Sequence, residues 1–420
     1  MSKDKDLAGQ PVICQLLSYI PMDLVDQAVV QHTSDKGYTE MITYRHLVFI
    51  LYGVIARCHS LNHLCKSLLF LENKLSYVGI TKLPARSTLS DANMNRNSEV
   101  FGTLYNLLYR HYQSWLSVDY IEMFINDEIN PDQVEIFDSS TVSLFVDVFK
   151  GAGRKPLNGK KKGGLKLHTK LPMSSVVPDL IVLSEASQND KTFISDKKAG
   201  QLAAEAGKIY VFDKGYVNYE VWDNWTKAGV FYLTRLNDNA SYEILTGQQD
   251  QKHVSEYADG GIISDQTIQL GCTKARLVTY ADPESGNVLK FVTNLWDCQA
   301  DTVCMLYKCR WSIEVLFKSI KQNFELAHFY ADSQEGIKTQ VWIVLIANLL
   351  FRVIHRQTQE CELFTTIVGM ASNNLGSYVS LIKLIRVRYR ECDTRDIEKI
   401  QLDLFKTETG GVFGNANKSP

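Results

Sequence analysis

Three acidic residues stand where a carboxylate could do chemistry. Asp138 closes the apolar run "VEIF" and Asp213 closes "IYVF", so each follows a Phe at the end of an alternating stretch. Asp is unfavourable within strands, and open α/β folds bind ligands at strand ends beside a sheet crevice. Either Asp alone could equally begin the next turn. The third acid, Glu314, lies in "YKCRWSIEVLFKSIKQNF" (Tyr307 to Phe324), which reads as one helix with no Pro or Gly. At about 100° per residue, Tyr307, Arg310, Glu314 and Lys321 share an arc of roughly 60°. Ile313, Leu316, Phe317, Ile320 and Phe324 form a neighbouring apolar face. A solvated helix face would more often alternate Glu and Lys at i,i+4, and here one acid sits among cations and a Tyr. Taken together, the three acids could hold two Mg²⁺ ions roughly 4 Å apart, one activating a nucleophile and one stabilising the leaving oxygen of a phosphodiester.

The elements that must position these acids follow from periodicity. Residues 11–117 show apolar residues at three-to-four spacing and read as all helix. Within them "LPARSTLSDANMNRN" predicts a short helix capped by Ser87, Thr88 or Asp91 and flanked by Arg86 and Arg96. It is either a small DNA-reading module or a corner of a helical bundle. From about residue 130 the pattern turns to strands, in the order β-β-β-α-β-α-β, which implies a mixed sheet with helices on its faces. The second helix in that order is "NYEVWDNWTKAG" and the first is "KTFISDKKAGQLAAEAG". Asn239–Val292 reads as short strands that interrupt the sheet, and two helices close the chain after the one bearing Glu314. The expected organisation is a helical N-terminal DNA-binding domain at 1–125 and a first catalytic part at 126–238. A β-rich insertion at 239–298, a second catalytic part with C-terminal helices at 299–395 and a tail at 396–420 complete it.

Composition narrows the classes. The chain has 420 residues, 45% hydrophobic and 22% charged, as in a globular protein with ordinary cores. No unbroken apolar run reaches the roughly 18 residues that read as a membrane span, so no membrane is expected. Nine Cys without a CxxC pair predict reduced thiols in a cytoplasm. A net charge of −2 argues against a general nucleic-acid binder, but the charge is uneven. "KGAGRKPLNGKKKGGLKLHTK" (Lys150–Lys170) carries eight Lys/Arg and no acid, with Lys160, Lys161 and Lys162 at its centre. "LIKLIRVRYR" (Leu381–Arg390) is a second basic stretch. Each is either a solvated face or a seat for a phosphate backbone. No GxSxG, HExxH or P-loop is present.

These residues resemble a known family. Tyr307, Arg310, Glu314 and Lys321 fit the pattern Tyr, two residues, Arg, three, Glu, six, Lys. That pattern is the signature of the insertion-sequence-4-like DDE transposases of bacteria. "FDSST" and "YVFDKGY" look like the family's two Asp motifs, and "RSTLSDANMNR" (Arg86–Arg96) resembles a segment of its N-terminal domains. The resemblance runs from about residue 10 to 390. It implies an RNase H-like core with a β-rich insertion between the second Asp and the Glu. The spacing agrees, with 75 positions from Asp138 to Asp213 and 101 from Asp213 to Glu314.

The resemblance further implies that Asp138, Asp213 and Glu314 bind two Mg²⁺ ions, with Mn²⁺ as a substitute. Tyr307, Arg310 and Lys321 would grip terminal phosphates. Trp311 would either stack on a displaced base or simply pack, and Trp296 is a second candidate. His168 and Asp190 lie near the expected site, His168 fitting a structural role better. The implied partners are double-stranded DNA, as terminal inverted repeats and as target, and a second copy of the chain in a synaptic complex. In studied relatives the second strand is cut through a hairpin. The implied location is the bacterial cytoplasm, on the nucleoid. A non-catalytic DNA-binding regulator and a plain metal-dependent nuclease are the alternatives.

Overall fold

The computed structural model describes residues 9–117, 128–143, 164–185, 193–194, 202–245, 261–282, 287–358 and 363–386. Six helices come first: α1 (Val12–Leu17), α2 (Met22–His32), α3 (Thr43–Ile55), α4 (Leu61–Leu68), α5 (Arg86–Asn95) and α6 (Glu99–Leu116). The near-continuous apolar stretch of α3 predicts burial all round, and Leu47 to Ile55 are indeed buried. α10 (Gln334–Thr358) packs against α3, α5 and α6, so the N-terminal helices share one core with the C-terminal part of the chain. This 25-residue helix is long and apolar enough to cross a membrane by length and composition. The expectation of no such segment counted only unbroken apolar runs. Within its most apolar window 89% of the residues are buried inside the protein, which is how a core helix sits.

The sheet has nine strands in the order β3-β2-β1-β4-β5-β9-β8-β7-β6. They are β1 (Val134–Ser143), β2 (Gly164–Pro172), β3 (Leu180–Glu185), β4 (Ile209–Phe212), β5 (Phe231–Arg235), β6 (Glu243–Ile244), β7 (Ile262–Leu270), β8 (Thr273–Ala281) and β9 (Val288–Thr293). β1 runs parallel to β4, and β4 to β5, while β2 is antiparallel to both β1 and β3. This is the RNase H-like arrangement that the resemblance implies, in a mixed sheet of the expected α/β class.

The β-rich segment differs from expectation. β9 pairs antiparallel with β5, so β6 to β9 continue the same sheet beyond β5 and do not stand apart from it. Arg276, buried in β8, pairs with Asp265 and donates to the carbonyls of Leu295 and Cys298, fixing the turn that leads into α8 (Ala300–Cys309). The helix expected over 191–207 lies mostly outside the described residues, and its described end, 202–207, is irregular chain and a turn at Gly207, whose φ is +81°. α7 (Tyr219–Lys227) forms as expected, with Asn218 accepting from the Val221 amide as its cap. α11 (Phe364–Asn373) was not anticipated, and α12 (Leu381–Arg386) holds only the first part of the second basic stretch.

Alternation along the strands assigns the two faces of the sheet. Val134, Ile136, Ile209, Val211 and Leu233 join the main core, against the helical body. Phe137, Tyr210, Phe212 and Tyr232 join a second, aromatic core that α7 covers with Val221, Trp222 and Trp225. Phe137 and Phe212 stack with ring centroids 4.6 Å apart.

Two expectations for the N-terminal segment are corrected. α5 begins after Ala85 with no side-chain cap, so Ser87 and Thr88 lie inside the helix. Arg96 is not at a DNA surface. Its side chain is fully buried, pairs with Asp35 at 2.9 Å and donates to Thr43 and the carbonyls of Ser34 and Met41. The Tyr38 ring lies 4.2 Å from its guanidinium. Arg86, by contrast, is exposed. Breaking a buried ion pair by removing one partner typically costs about 3–5 kcal/mol. Arg96→Ala is therefore expected to lose stability of that order in urea denaturation, and unchanged stability with weakened DNA binding would contradict the buried role.

Candidate active site

Strand register brings the two Asp residues together. Phe137 pairs with Phe212 across parallel strands, so Asp138 and Asp213 are the next residues on neighbouring chains. Only Asp213 stands at a strand end as expected: Asp138 lies inside β1, which continues to Ser143 because it stays paired with β2. Both alternate onto the face shared with Ile136 and Val211, toward the helical body. Val211 pairs with Leu233 in turn, which places Arg235 of β5 in the same row. Arg235 was not singled out from the sequence. Its signal is a cation at the strand position that corresponds to both acids, legible only once the register is known.

The expected single helix is two, α8 and α9 (Trp311–Asn323), meeting at Arg310. Arg310 keeps helical angles (φ −55°, ψ −28°), but the hydrogen bonds tighten around it. The Arg310 amide donates to the Tyr307 carbonyl at 3.1 Å, and the Ile313 amide donates to the Arg310 carbonyl at 3.2 Å, both three residues back. Ile313, Leu316, Phe317, Ile320 and Phe324 are buried, which turns the polar face of α9 to the row that holds the two Asp residues.

The side chains meet there. Arg310 Nη1 lies 3.1 Å from Asp138 Oδ2 and 2.7 Å from Glu314 Oε1. Those two oxygens are therefore no further apart than the two distances laid end to end, within reach of ions about 4 Å apart. Asp138 Oδ1 accepts from the Ser139 amide at 2.7 Å. The Tyr307 hydroxyl donates to Asp213 Oδ1 at 3.5 Å, and its ring packs on Phe291. Lys321 Nζ donates to Ser140 Oγ at 3.0 Å and to the Thr141 carbonyl at 3.4 Å, both on β1. Trp311 is 40% exposed and so is not packed into the core, and Trp296 is 36% exposed. His168 is buried, bonded to Ser184 and stacked on Phe193, as a structural histidine would be. Lys160, Lys161, Lys162 and Asp190 lie outside the described residues.

Electrostatics follow from burial. Burial pushes the Asp138 carboxyl up to about 6, the charges of Asp213 and Glu314 add to the rise, and attraction by Arg310 opposes it. Burial also raises the Tyr307 hydroxyl to about 12, so it stays a donor, and lowers the Lys321 ammonium. The donor set fits a divalent cation of the Mg²⁺ type: all three groups offer hard carboxylate oxygens. The positive charge bridging Asp138 and Glu314 is a single guanidinium, whose buried Nε finds no partner among the described residues.

Residues 130–350, just over half of the chain, match the family described as "Transposase DDE domain". The chain belongs to that family. Residues 8–81 match a family described as "Domain of unknown function (DUF4372)". The chain is 28% identical over 297 residues to y4zB of Sinorhizobium fredii (strain NBRC 101917 / NGR234), whose name assigns it as a transposase. That match covers 68% of this chain and 76% of the relative. It is 24% identical over 235 residues to a Geobacillus stearothermophilus protein named as a transposase for insertion sequence element IS5377. Here 55% of this chain and 59% of the relative are covered. Among solved structures, a piggyBac transposase synaptic complex with hairpin DNA is similar at a TM-score of 0.44 and 11% identity, over 100% of this chain and 88% of that one.

Asp138 also makes stability depend on pH. Its folded value lies above the roughly 3.9 of an unfolded chain, so its contribution is full below that value and is lost as pH rises through about 6. In metal-free protein, Asp138→Asn is expected to be more stable than the parent by roughly 1–3 kcal/mol near neutral pH. The gap should close toward about pH 4. Urea denaturation in chelator across that range measures it, and a gap independent of pH would contradict the assignment.

Proposed function

We propose that the chain is the transposase of a bacterial insertion sequence of the insertion-sequence-4-like group. It would cleave DNA at the element's ends and join the freed 3′-hydroxyl to target DNA by a cut-and-paste route. The observation that carries this reading is the meeting of Asp138 with Glu314 around one Arg310 nitrogen, beside Asp213 on the neighbouring strand. Asp138, Asp213 and Glu314 would hold two Mg²⁺ ions, or Mn²⁺ in their place. Bound there, the metal supplies an activated oxygen nucleophile and neutralises charge on the phosphodiester.

The remaining roles belong to the chain itself. Arg310 keeps two acids close in the free protein and offers its fork to a phosphate as DNA enters. Tyr307 donates from a hydroxyl that stays protonated. Lys321, at the exposed margin, adds a point charge beside β1. Trp311 presents an exposed ring for a displaced base. The segment 1–125, with Arg86 on its surface, would read the terminal repeats, and Lys160 to Lys162 would add phosphate contacts. Two copies would pair in a synaptic complex on nucleoid DNA in the cytoplasm.

Alanine at Asp138, Asp213 or Glu314 is expected to abolish cleavage of a duplex carrying the element's end, while a gel-shift assay still shows binding. Binding lost together with cleavage would make the acids structural. Lys321→Ala is expected to lower the slope of log affinity against log salt by roughly one. A joined product in a plasmid target separates this reading from a plain nuclease, and activity indifferent to Asp138→Ala would favour a regulator.

A further inference from the structure

Immediately after α9 the chain turns, and Glu325 enters the interior with its side chain only 3% exposed. Its carboxylate is not left bare. Oε1 accepts from the amides of Ala327 at 2.9 Å and His328 at 3.0 Å. Two imidazoles then approach it, one at each oxygen. His328 Nδ1 lies 3.2 Å from Oε1, and His59 Nδ1 lies 3.1 Å from Oε2. His59 arrives from the turn between α3 and α4, 266 positions away along the chain. Ligand atoms of the three residues lie within 4.8 Å of one another, and the two rings stand edge to face with centroids 5.1 Å apart. Both imidazoles are more than half exposed.

Among the described residues, none of the three is hydrogen-bonded or ion-paired to Asp138, Asp213 or Glu314, and the donor set differs in kind. Three carboxylates suit Mg²⁺, whereas two imidazoles and one carboxylate suit Zn²⁺. With ligands about 2.0–2.2 Å from the ion, neighbouring donors of a tetrahedral site lie about 3.3–3.5 Å apart. The two contacts go to different oxygens of Glu325, and one donor atom from each of the three residues lies within 4.8 Å of the others, so the imidazoles need draw in by little more than an ångström to reach that edge. The buried, amide-held carboxylate is a preformed anchor, and the exposed imidazoles can adjust to it.

We propose that His59, Glu325 and His328 form a binding site for a transition-metal ion of the Zn²⁺ class, separate from the catalytic cations. His63 leaves the fourth position to water: its Nδ1 accepts the His59 amide at 3.2 Å, and its ring centroid is 5.8 Å from that of His59. The ion fastens the turn before α4 to the residue that follows α9. It thus clamps the N-terminal helices to the helix that carries Glu314. To bind through Nδ1, each neutral imidazole moves the hydrogen it now directs at Glu325 to Nε2, so the ring changes tautomer and keeps its proton.

Calorimetric titration of metal-stripped full-length protein with Zn²⁺, in excess Mg²⁺ to occupy the carboxylate cluster, tests this. One equivalent should bind, and His59→Ala and His328→Ala should each weaken it by more than the about 10–100-fold typical of losing an outer-shell partner. Asp138→Ala should leave it unchanged. Co²⁺ in place of Zn²⁺ should give the visible absorption of an imidazole-bound tetrahedral ion, absent in both histidine variants. Zn²⁺ should raise the melting temperature of the parent and not of the variants. Each variant also removes a partner of the buried Glu325 carboxylate, so the Zn²⁺ shift of each is read against its own metal-free form. No Zn²⁺ uptake under excess Mg²⁺, or uptake removed by Asp138→Ala and untouched by the histidine changes, would overturn the proposal.

Discussion

Carboxylates resist being brought together, and the architecture around the site is organised against that repulsion. Asp138 inside β1 and Asp213 at the end of β4 stand at the same level of neighbouring parallel strands, and Glu314 comes to Asp138 from a helix packed on the sheet. In the free protein Arg310 lies between Asp138 and Glu314 and offsets part of the cost. Burial still outweighs that attraction at Asp138, whose carboxyl remains above its ordinary range. A site held in this condition is poised to accept positive charge, and its instability when empty is the counterpart of that readiness.

Rigid elements hold the acids from behind. The aromatic core under Phe137 and Phe212 fixes the middle of β1 and the end of β4 on one face. The main core, through Ile313, Leu316 and Ile320, fixes α9 on the other. Arg276 secures the turn that launches α8, so the helix pair bearing Tyr307, Arg310 and Glu314 starts from a defined point. Arg235 completes the row across β1, β4 and β5, placing a cation level with Asp213.

Much of this was legible in the sequence because it follows from periodicity. Two apolar stretches each followed by Phe-Asp, and a helix with one acid among cations, are local patterns, and the structure brings those residues to one place, although β1 runs on past Asp138 to Ser143 where β4 ends at Phe212. What stayed hidden depends on partners distant in sequence. Arg96 looks like any surface cation beside a polar helix, and only the fold shows Asp35 and Thr43 closing around it. The break at Arg310 leaves no Gly or Pro as a mark, since the backbone stays helical while its hydrogen bonds tighten. The short strands of 243–293 could not reveal their neighbour, and their pairing with β5 is a long-range choice. Arg235 and the grouping of His59 with Glu325 and His328 were invisible for the same reason.

The most direct test of the central claim is anomalous diffraction from crystals of the full chain equilibrated with Mn²⁺. The account predicts anomalous peaks within coordination distance of Asp138, Asp213 and Glu314, with the Arg310 guanidinium drawn away from the two acids it now bridges. Peaks confined to other parts of the molecule, with Arg310 still between Asp138 and Glu314 at saturating Mn²⁺, would contradict it.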